Sequence, residues 1–405
     1  MMHNATTIRH SLDGLKVVDF SQIGAGPTCG MMLADLGADV VKVETPAGDP
    51  GRLLGPPWYG SESPIHVAFN RGKRNICIDL RTAGGRKIAA ELVANADVVL
   101  ESFRPGVLDK FGLGYKSVHE TNPKVIYCSV SGFGQTGPFA NRAGVDGILQ
   151  AMSGFMGLIG NPDSEPCKVQ TPVVDVVTGY IAMVGVLARL LERHRTGRGA
   201  SIDVSLFTAA LALQQAALTA YVGDRQLPQK IGSAAPYSAP NEAFEASDGW
   251  VMVAAYLGDR WERLCKALEV EHLTEDARFK SSSDRVANRD AMREALSAAF
   301  RRRTCEEWLE VLESNDILCA KVSDYEDVLA NPQFKHCRML VDVDHPRQGK
   351  FQTVGFPIDS VDSNALGFRP AANRGEHSRE ILAALGYSTH DVDRLAGEGC
   401  IVVES

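Results

Sequence analysis

The sequence predicts an α/β fold, with a mostly parallel sheet flanked by helices and a smaller α+β domain after it. Three observations carry this expectation. Across the first two hundred residues or so, short β-branched apolar runs alternate with longer helix-like segments. The stretch VVDFSQIGAGPTCGMMLADLGADVVKVE, Val17 to Glu44, reads as strand, glycine-rich turn, apolar helix and second strand. From Gly223 the chain changes to a loop rich in Gly, Pro, Gln and Ser, then a hairpin signature and amphipathic helices.

In order along the chain, Leu15 to Phe20 is the first buried strand. Pro27 to Leu36 is a helix, with Pro27 in the first turn, where its missing N–H would be unpaired anyway. Further strands are expected at Asp39 to Val43, Asn75 to Leu80, Asp97 to Glu101, Val125 to Val130 and Ser201 to Leu206, with helices at Gly84 to Ala94 and Asp146 to Met152. Val176 to His194 is almost free of charge until Arg189 and carries Gly179 and Gly185. It reads as a buried helix, too broken by glycine and too short in apolar length to span a membrane. Phe207 to Tyr221 reads as one apolar helix in the core or at an interface.

A chain of 405 residues exceeds one ordinary core. The expected division is a large domain over 1–222, a linker over 223–240, a small α+β domain over 241–331, and a C-terminal segment, 332–405, that returns to the large domain. Within the small domain, Asn241 to Ser247 and Trp250 to Ala255 form a hairpin through Asp248-Gly249, and helices follow at Arg260 to Leu268, Asp290 to Phe300 and Cys305 to Ser314. The tail reads as strand and loop with a last helix near Ser378 to Leu385.

Composition narrows the function classes. The apolar fraction of 44% and charged fraction of 23% are those of an ordinary globular protein. A net charge of −8 argues against a general affinity for nucleic acid, so the cations for any anionic ligand must be gathered locally. No apolar run looks long enough to cross a membrane, and Met1 to His10 lacks the apolar centre of a signal peptide. A cytoplasmic enzyme is expected. The nine cysteines form no C-x-x-C pair, and Cys29, Cys77, Cys128 and Cys319 lie in apolar runs as buried thiols. The ten histidines show no ligand spacing, so neither a metal nor a disulfide is expected.

The Val17–Glu44 stretch invites comparison with a nicotinamide-binding turn, in which Glu44 would hold the ribose. The spacing does not fit. Gly24, Gly26 and Gly30 give G-x-G-x-x-x-G, and Pro27 has no N–H for a pyrophosphate. An NAD-dependent oxidoreductase is therefore a remote alternative, and close packing of helix and strand explains the glycines as well.

In a parallel sheet the ligand crevice lies beyond the carboxyl ends of the strands. Ser21 to Gly26 follow the first strand, Arg81 the third, Ser102, Phe103 and Arg104 the fourth, and Ser131 to Arg142 the fifth. Lys110 lies downstream, and Arg71, Lys73 and Arg74 form a basic cluster before the third strand. A phosphate-bearing ligand with a purine suits this set. In TPVVDVVTGYIAMVGVLARLL, Asp175 directly precedes the apolar helix. Two readings stand side by side: a helix N-cap, or a rigidly held, ionised carboxylate nucleophile.

Several further motifs stand in one order: LDGLKVVDFS, AGP, LADLGADVVKVE, GDPGR, NRGKRNICIDL, VVLESFRPGVLDKFGLGY, SGFGQTGP and RTGRGASIDVSL. They resemble the class III CoA-transferases, the group of formyl-CoA transferase, the carnitine CoA-transferases and the α-methylacyl-CoA racemases. Agreement runs from about Leu12 to Leu206 and continues more faintly beyond. The resemblance implies an interlocked homodimer of chains, each with a Rossmann-like large domain. It also implies coenzyme A as co-substrate, with no tightly bound cofactor. Matching positions place CoA at Ile78, Leu80, Arg81, Ser102, Phe103, Arg104, Lys110 and Arg142, the acyl group near Gly24, Ala25, Val145 and Asp146, and the catalytic carboxylate at Asp175. The implied reaction passes CoA from an acyl-CoA to a carboxylic acid through aspartyl-anhydride and aspartyl-CoA intermediates.

Racemases of this group carry a histidine before the aspartate in the segment matching RAGVDGILQAMSG, and here Val145 stands there. A transferase is thus favoured over an acyl-CoA racemase or isomerase. Asp146 either lines the thioester site or starts a helix. Formyl-CoA transferases have glutamine in place of Gly24, and a glycine lid where this chain has Tyr256-Leu257-Gly258-Asp259, so formate and oxalate are not expected substrates. GPPWYGSES and RAGVDG look more like members that use succinyl-CoA and other dicarboxylic acids.

Overall fold

A computed structural model describes residues 7–60 and 62–404. Residues 1–6 of the N-terminal stretch, and Ser61 in GPPWYGSES, lie outside the described residues. Strands β1 (Lys16–Asp19), β2 (Asp39–Glu44), β3 (Arg74–Ile78), β4 (Val98–Glu101), β5 (Ile126–Ser131) and β6 (Ala200–Ser205) run parallel in the order 3-2-1-4-5-6. A short final strand, Ile401–Val402, adds antiparallel to β3 through the pairs Ile401↔Ile78 and Val402↔Cys77. Between the strands lie helices α1 (Ala25–Asp35), α2 (Pro64–Asn70), α3 (Ala83–Ala94), α4 (Tyr115–Thr121), α5 (Asp146–Met152) and α6 (Val173–Thr196).

Side chains alternate across the sheet and build one core on each face. Val17, Val40, Val98, Leu100 and Ile126 join Cys29, Leu33 and Val186 on one face. Val18, Val41, Ile76, Val99 and Tyr127 join Ile88, Leu92, Ile381 and Leu395 on the other. The tail thus supplies core residues. Its helices Ser378–Ala384 and Thr389–Gly397 pack on the second face, and the second of them, like the final strand, is absent from the expectation. A two-residue strand, and a nine-residue helix whose buried residues are Val392 and Leu395, offer too few apolar positions to stand out in a sequence.

Two other expectations change. Helix α6 is 24 residues long and, by length and composition, apolar enough to cross a membrane, contrary to the reading that no such run exists. Its glycines do not shorten it, because Gly179 is a contact point: a Cβ there would lie 2.7 Å from the carbonyl oxygen of Ala25. The segment read as one helix from Phe207 to Tyr221 is two, Leu206–Ala212 and Gln215–Asp224, bent by 72°.

Contacts divide the chain into two compact units, the second consisting of Met156–Cys167 and Gln226–Asn331. Its sheet orders Asn241–Glu245, Trp250–Ala254 and Leu318–Lys321, all antiparallel, around a core in which Phe244 stacks on Phe300. Met156–Cys167 falls in this unit and not in the 1–222 segment because Gly232 N–H bonds Gly160 C=O at 3.0 Å and Lys230 Nζ bonds Ser164 C=O at 2.7 Å. Cys319, expected buried, is half-buried on the third strand.

Candidate active site

The strand order reverses between β1 and β4, which is where a doubly wound sheet opens its crevice. The turn after β1 and the turn after β4 meet there, with Gln22 N–H donating to Ser102 Oγ at 2.8 Å. Gly24 is the N-cap of α1 and has no side chain to cap its first N–H groups. The three glycines serve three different contacts. A Cβ on Gly24 would collide with the Asp175 carboxylate, one on Gly26 with Ser21, and one on Gly30 would lie 2.6 Å from Asp19 Oδ2.

Asp175 is not the N-cap of α6. The helix begins at Val173 with Pro172 as the cap residue, so Asp175 sits inside the first turn and makes no capping bond. That task falls to Asp146, whose Oδ2 accepts from Val174 N–H at 2.8 Å and Asp175 N–H at 3.1 Å. Its Oδ1 accepts from Gln150 Nε2 at 2.6 Å. Gln150 is fully buried and also accepts from Val169 N–H at 2.9 Å, which fixes the approach to α6. With its cap supplied by a residue distant in sequence, the Asp175 side chain stays uncommitted, half-buried against Gly24. Burial, and then the neighbouring Asp146, push its carboxyl up to about 7. Among the described residues no cation offsets this desolvation.

Glu44 has no capacity left for a ribose. Its carboxylate accepts from Asp49 N–H at 2.9 Å, Arg52 Nε at 2.8 Å and Asn75 Nδ2 at 2.7 Å. The basic cluster before β3 is likewise paired within the chain. Arg71 pairs with Asp35 at 2.5 Å, Lys73 with Asp19 at 2.8 Å, and Arg74 with Asp39 at 2.6 Å. Residues preceding a parallel strand start at the edge opposite the crevice, so these cations fold into the core or across the far edge. The sequence reading missed Lys42, Asp49 and Gln150. A lysine inside the apolar run VVKVE was the available signal, since a charge in a doubly covered strand requires a buried partner.

The model of CoA-transferase family III matches residues 12–378. This chain belongs to that family. It is 34% identical over 393 residues to the succinyl-CoA:glutarate CoA-transferase of Mus musculus, covering 96% of this chain and 90% of the relative. It is 38% identical over 362 residues to the acetyl-CoA:oxalate CoA-transferase of Acetobacter aceti, covering 89% and 92%. A crystal structure of a CAIB/BAIF family protein from Brucella suis superposes with a TM-score of 0.83 at 38% identity, covering 93% of this chain and all of that one.

CoA-transferases use CoA as co-substrate, and Arg81, Arg104, Lys110 and Arg142, the cations expected to meet it, are exposed in this family III enzyme. Arg142 lies 5.5 Å from the ring centre of Phe139, while Arg81 folds onto Asp79 at 2.7 Å. Ile78 is only 1% exposed and pairs with the final strand, so its side chain belongs to the core and its main chain alone can face a ligand. Leu80 and Phe103 are half-buried against the same core. β3 stands three strand spacings from β4, roughly 14 Å, so only an extended molecule touches both Arg81 and Ser102. Val145 is 57% exposed beside buried Asp146.

Proposed function

We propose that this CoA-transferase moves CoA from succinyl-CoA, or another dicarboxylyl-CoA, to a carboxylic acid by way of covalent intermediates on Asp175. The observation that carries this reading is the Asp175 carboxylate itself: half-buried, without a cation, and pressed against Gly24 at the start of α1. Asp175 attacks the thioester carbon, the tetrahedral oxyanion collapses, and CoA thiolate leaves an aspartyl–acyl anhydride. The thiolate attacks the aspartyl carbonyl and releases the donor acid, which gives aspartyl-CoA. The acceptor carboxylate then displaces CoA to form a second anhydride. Attack by CoA on the acceptor carbonyl yields the new thioester and restores Asp175. A carboxyl raised to about 7 is more basic, and so a better nucleophile, than an ordinary one, while remaining substantially ionised at neutral pH. The first N–H groups of α1, at Ala25 and Gly26, are the donors for each oxyanion.

CoA lies along the edge from Ile78, Leu80 and Arg81 to Ser102, Phe103 and Arg104, with Lys110 and Arg142 meeting its phosphates, and the acyl group lies by Gly24, Ala25, Val145 and Asp146. Val145 in place of an imidazole favours transfer over racemisation. The acids in the names of the two relatives, glutarate and oxalate, are both dicarboxylates, which supports a dicarboxylate here. The exposed apolar residues of α6, including Tyr180, Ile181, Val184 and Leu191, support burial of that face in an interlocked homodimer. The test is intact-protein mass spectrometry of wild type and Asp175→Asn after incubation with succinyl-CoA and trapping with borohydride or hydroxylamine. A trapped adduct on Asp175, absent from the variant, is expected. Solvent deuterium entering the α-position of a bound thioester with no adduct, across a panel of acyl-CoAs, would replace transfer with isomerisation.

A further inference from the structure

The turn that touches Asp175 is held in an unfavourable backbone state by a buried ion pair. Ile23, next to Gly24, has φ +67°, in the left-handed region that a β-branched residue avoids. Its N–H donates to Asp49 Oδ1 at 3.1 Å, and the same oxygen accepts from Gly51 N–H at 2.7 Å. Asp49 Oδ2 pairs with Lys42 Nζ at 2.7 Å, and Lys42 Nζ also donates to Ser21 C=O at 2.7 Å. Lys42 and Asp49 are 2% and 1% exposed, so neither charge is there for solvent or for a ligand. The pair grips the turn at both ends, at the Ser21 carbonyl and the Ile23 amide, and the residue that follows is the one whose Cα abuts the Asp175 carboxylate. Relaxing Ile23 out of the left-handed region would swing Gly24 and the first peptides of α1 away from Asp175.

We propose that Asp49, braced by Lys42, is a positioning residue for the acyl-transfer reaction: it forces Ile23 into the left-handed conformation and thereby sets Gly24 and the start of α1 against Asp175. This rests on the covalent role proposed for Asp175. The test removes both charges together, Lys42→Met with Asp49→Ala, so that no orphan charge is buried. Its partner variant adds Ile23→Gly, because glycine adopts the left-handed state without a clamp.

In single-turnover trapping with succinyl-CoA, the charge-free variant should form the Asp175 adduct about 10- to 100-fold more slowly. Binding of CoA alone, by calorimetry, should change far less. Adding Ile23→Gly should recover most of the rate, up to the level that Ile23→Gly alone shows in the wild-type background. An unaltered rate in the folded charge-free variant, or a loss that Ile23→Gly does not recover, overturns the proposal. If the charge-free protein does not fold, Lys42→Met with Asp49→Leu, which fills the volume of the lost pair with apolar side chains, gives the same comparison with and without Ile23→Gly. If wild type itself forms no adduct, the transferase mechanism falls. Crystal structures of the variants then decide the positioning claim separately: it stands if Ile23 leaves the left-handed region when the pair is removed, and falls if it does not.

Discussion

Replacing Asp175 with asparagine should make the protein more stable at neutral pH while abolishing CoA transfer. A carboxyl whose folded-state value rises from 3.8 to about 7 binds its proton more tightly folded than unfolded. The contribution of Asp175 to stability is therefore most favourable below about pH 4, where the group is protonated in both states, and is lost as pH rises towards and through 7. Taken whole, the rise corresponds to about 4 kcal/mol of destabilisation above pH 7. Asp175 is half-buried and not sealed, so screening reduces this to about 2 kcal/mol. The asparagine carries no charge, so the gain over wild type should be near zero at pH 4, grow through pH 5–7 and level off by pH 8. Thermal or urea unfolding of both proteins in matched-ionic-strength buffers from pH 4 to 8.5 measures it, with a Tm gain of a few degrees expected at the upper end. A gain that does not change with pH, or a variant less stable than wild type at pH 8, would refute the account of Asp175 as a desolvated carboxylate without a cation.

Asp146→Asn removes the like charge facing Asp175, so the pH at which adduct formation half-saturates should fall, as read from single-turnover rates between pH 5 and 8; Asp146→Ala should in addition cost about 1 kcal/mol of stability, through the lost cap on α6. Gly24→Ala places a methyl group into the Asp175 carboxylate and should slow acylation by about 100-fold or more in a protein with an unchanged circular-dichroism spectrum. Arg71→Met leaves Asp35 buried without its partner and should destabilise by about 3–5 kcal/mol in urea unfolding, most of it recovered by adding Asp35→Leu.

Most of the large sheet was legible because parallel strands covered on both faces are written as β-branched runs, and each expected run from Leu15 to Leu206 overlaps an observed strand. What escaped was set by contacts remote in sequence. Nothing local to Asp175 reveals that its helix is capped by Asp146, 29 residues earlier. Arg71, Lys73 and Arg74 read as a phosphate cluster because a charge in sequence looks the same whether it faces solvent or an aspartate brought in by the fold; their partners Asp35, Asp19 and Asp39 lie on other elements. Asp175 itself was found through its motif, and its motif could not tell a cap from a nucleophile. The geometry removes the capping role from Asp175, since Asp146 accepts from the Val174 and Asp175 N–H groups.

The same reasoning explains why this turn resembles a dinucleotide fingerprint without being one. A strand, a tight turn and a helix packed on the sheet require small residues wherever the chain runs close to its neighbours, whatever the ligand. In a nicotinamide fold the glycines bring N–H groups up to a pyrophosphate. Here Gly26 and Gly30 face Ser21 and the Asp19–Lys73 pair, Pro27 contributes its carbonyl to Lys73 at 2.9 Å and has no N–H to give, and Gly24 faces the Asp175 carboxylate. What Gly24 admits is not a phosphate but the carboxylate of another helix of the same chain. The glycine spacing follows from these contacts within the chain.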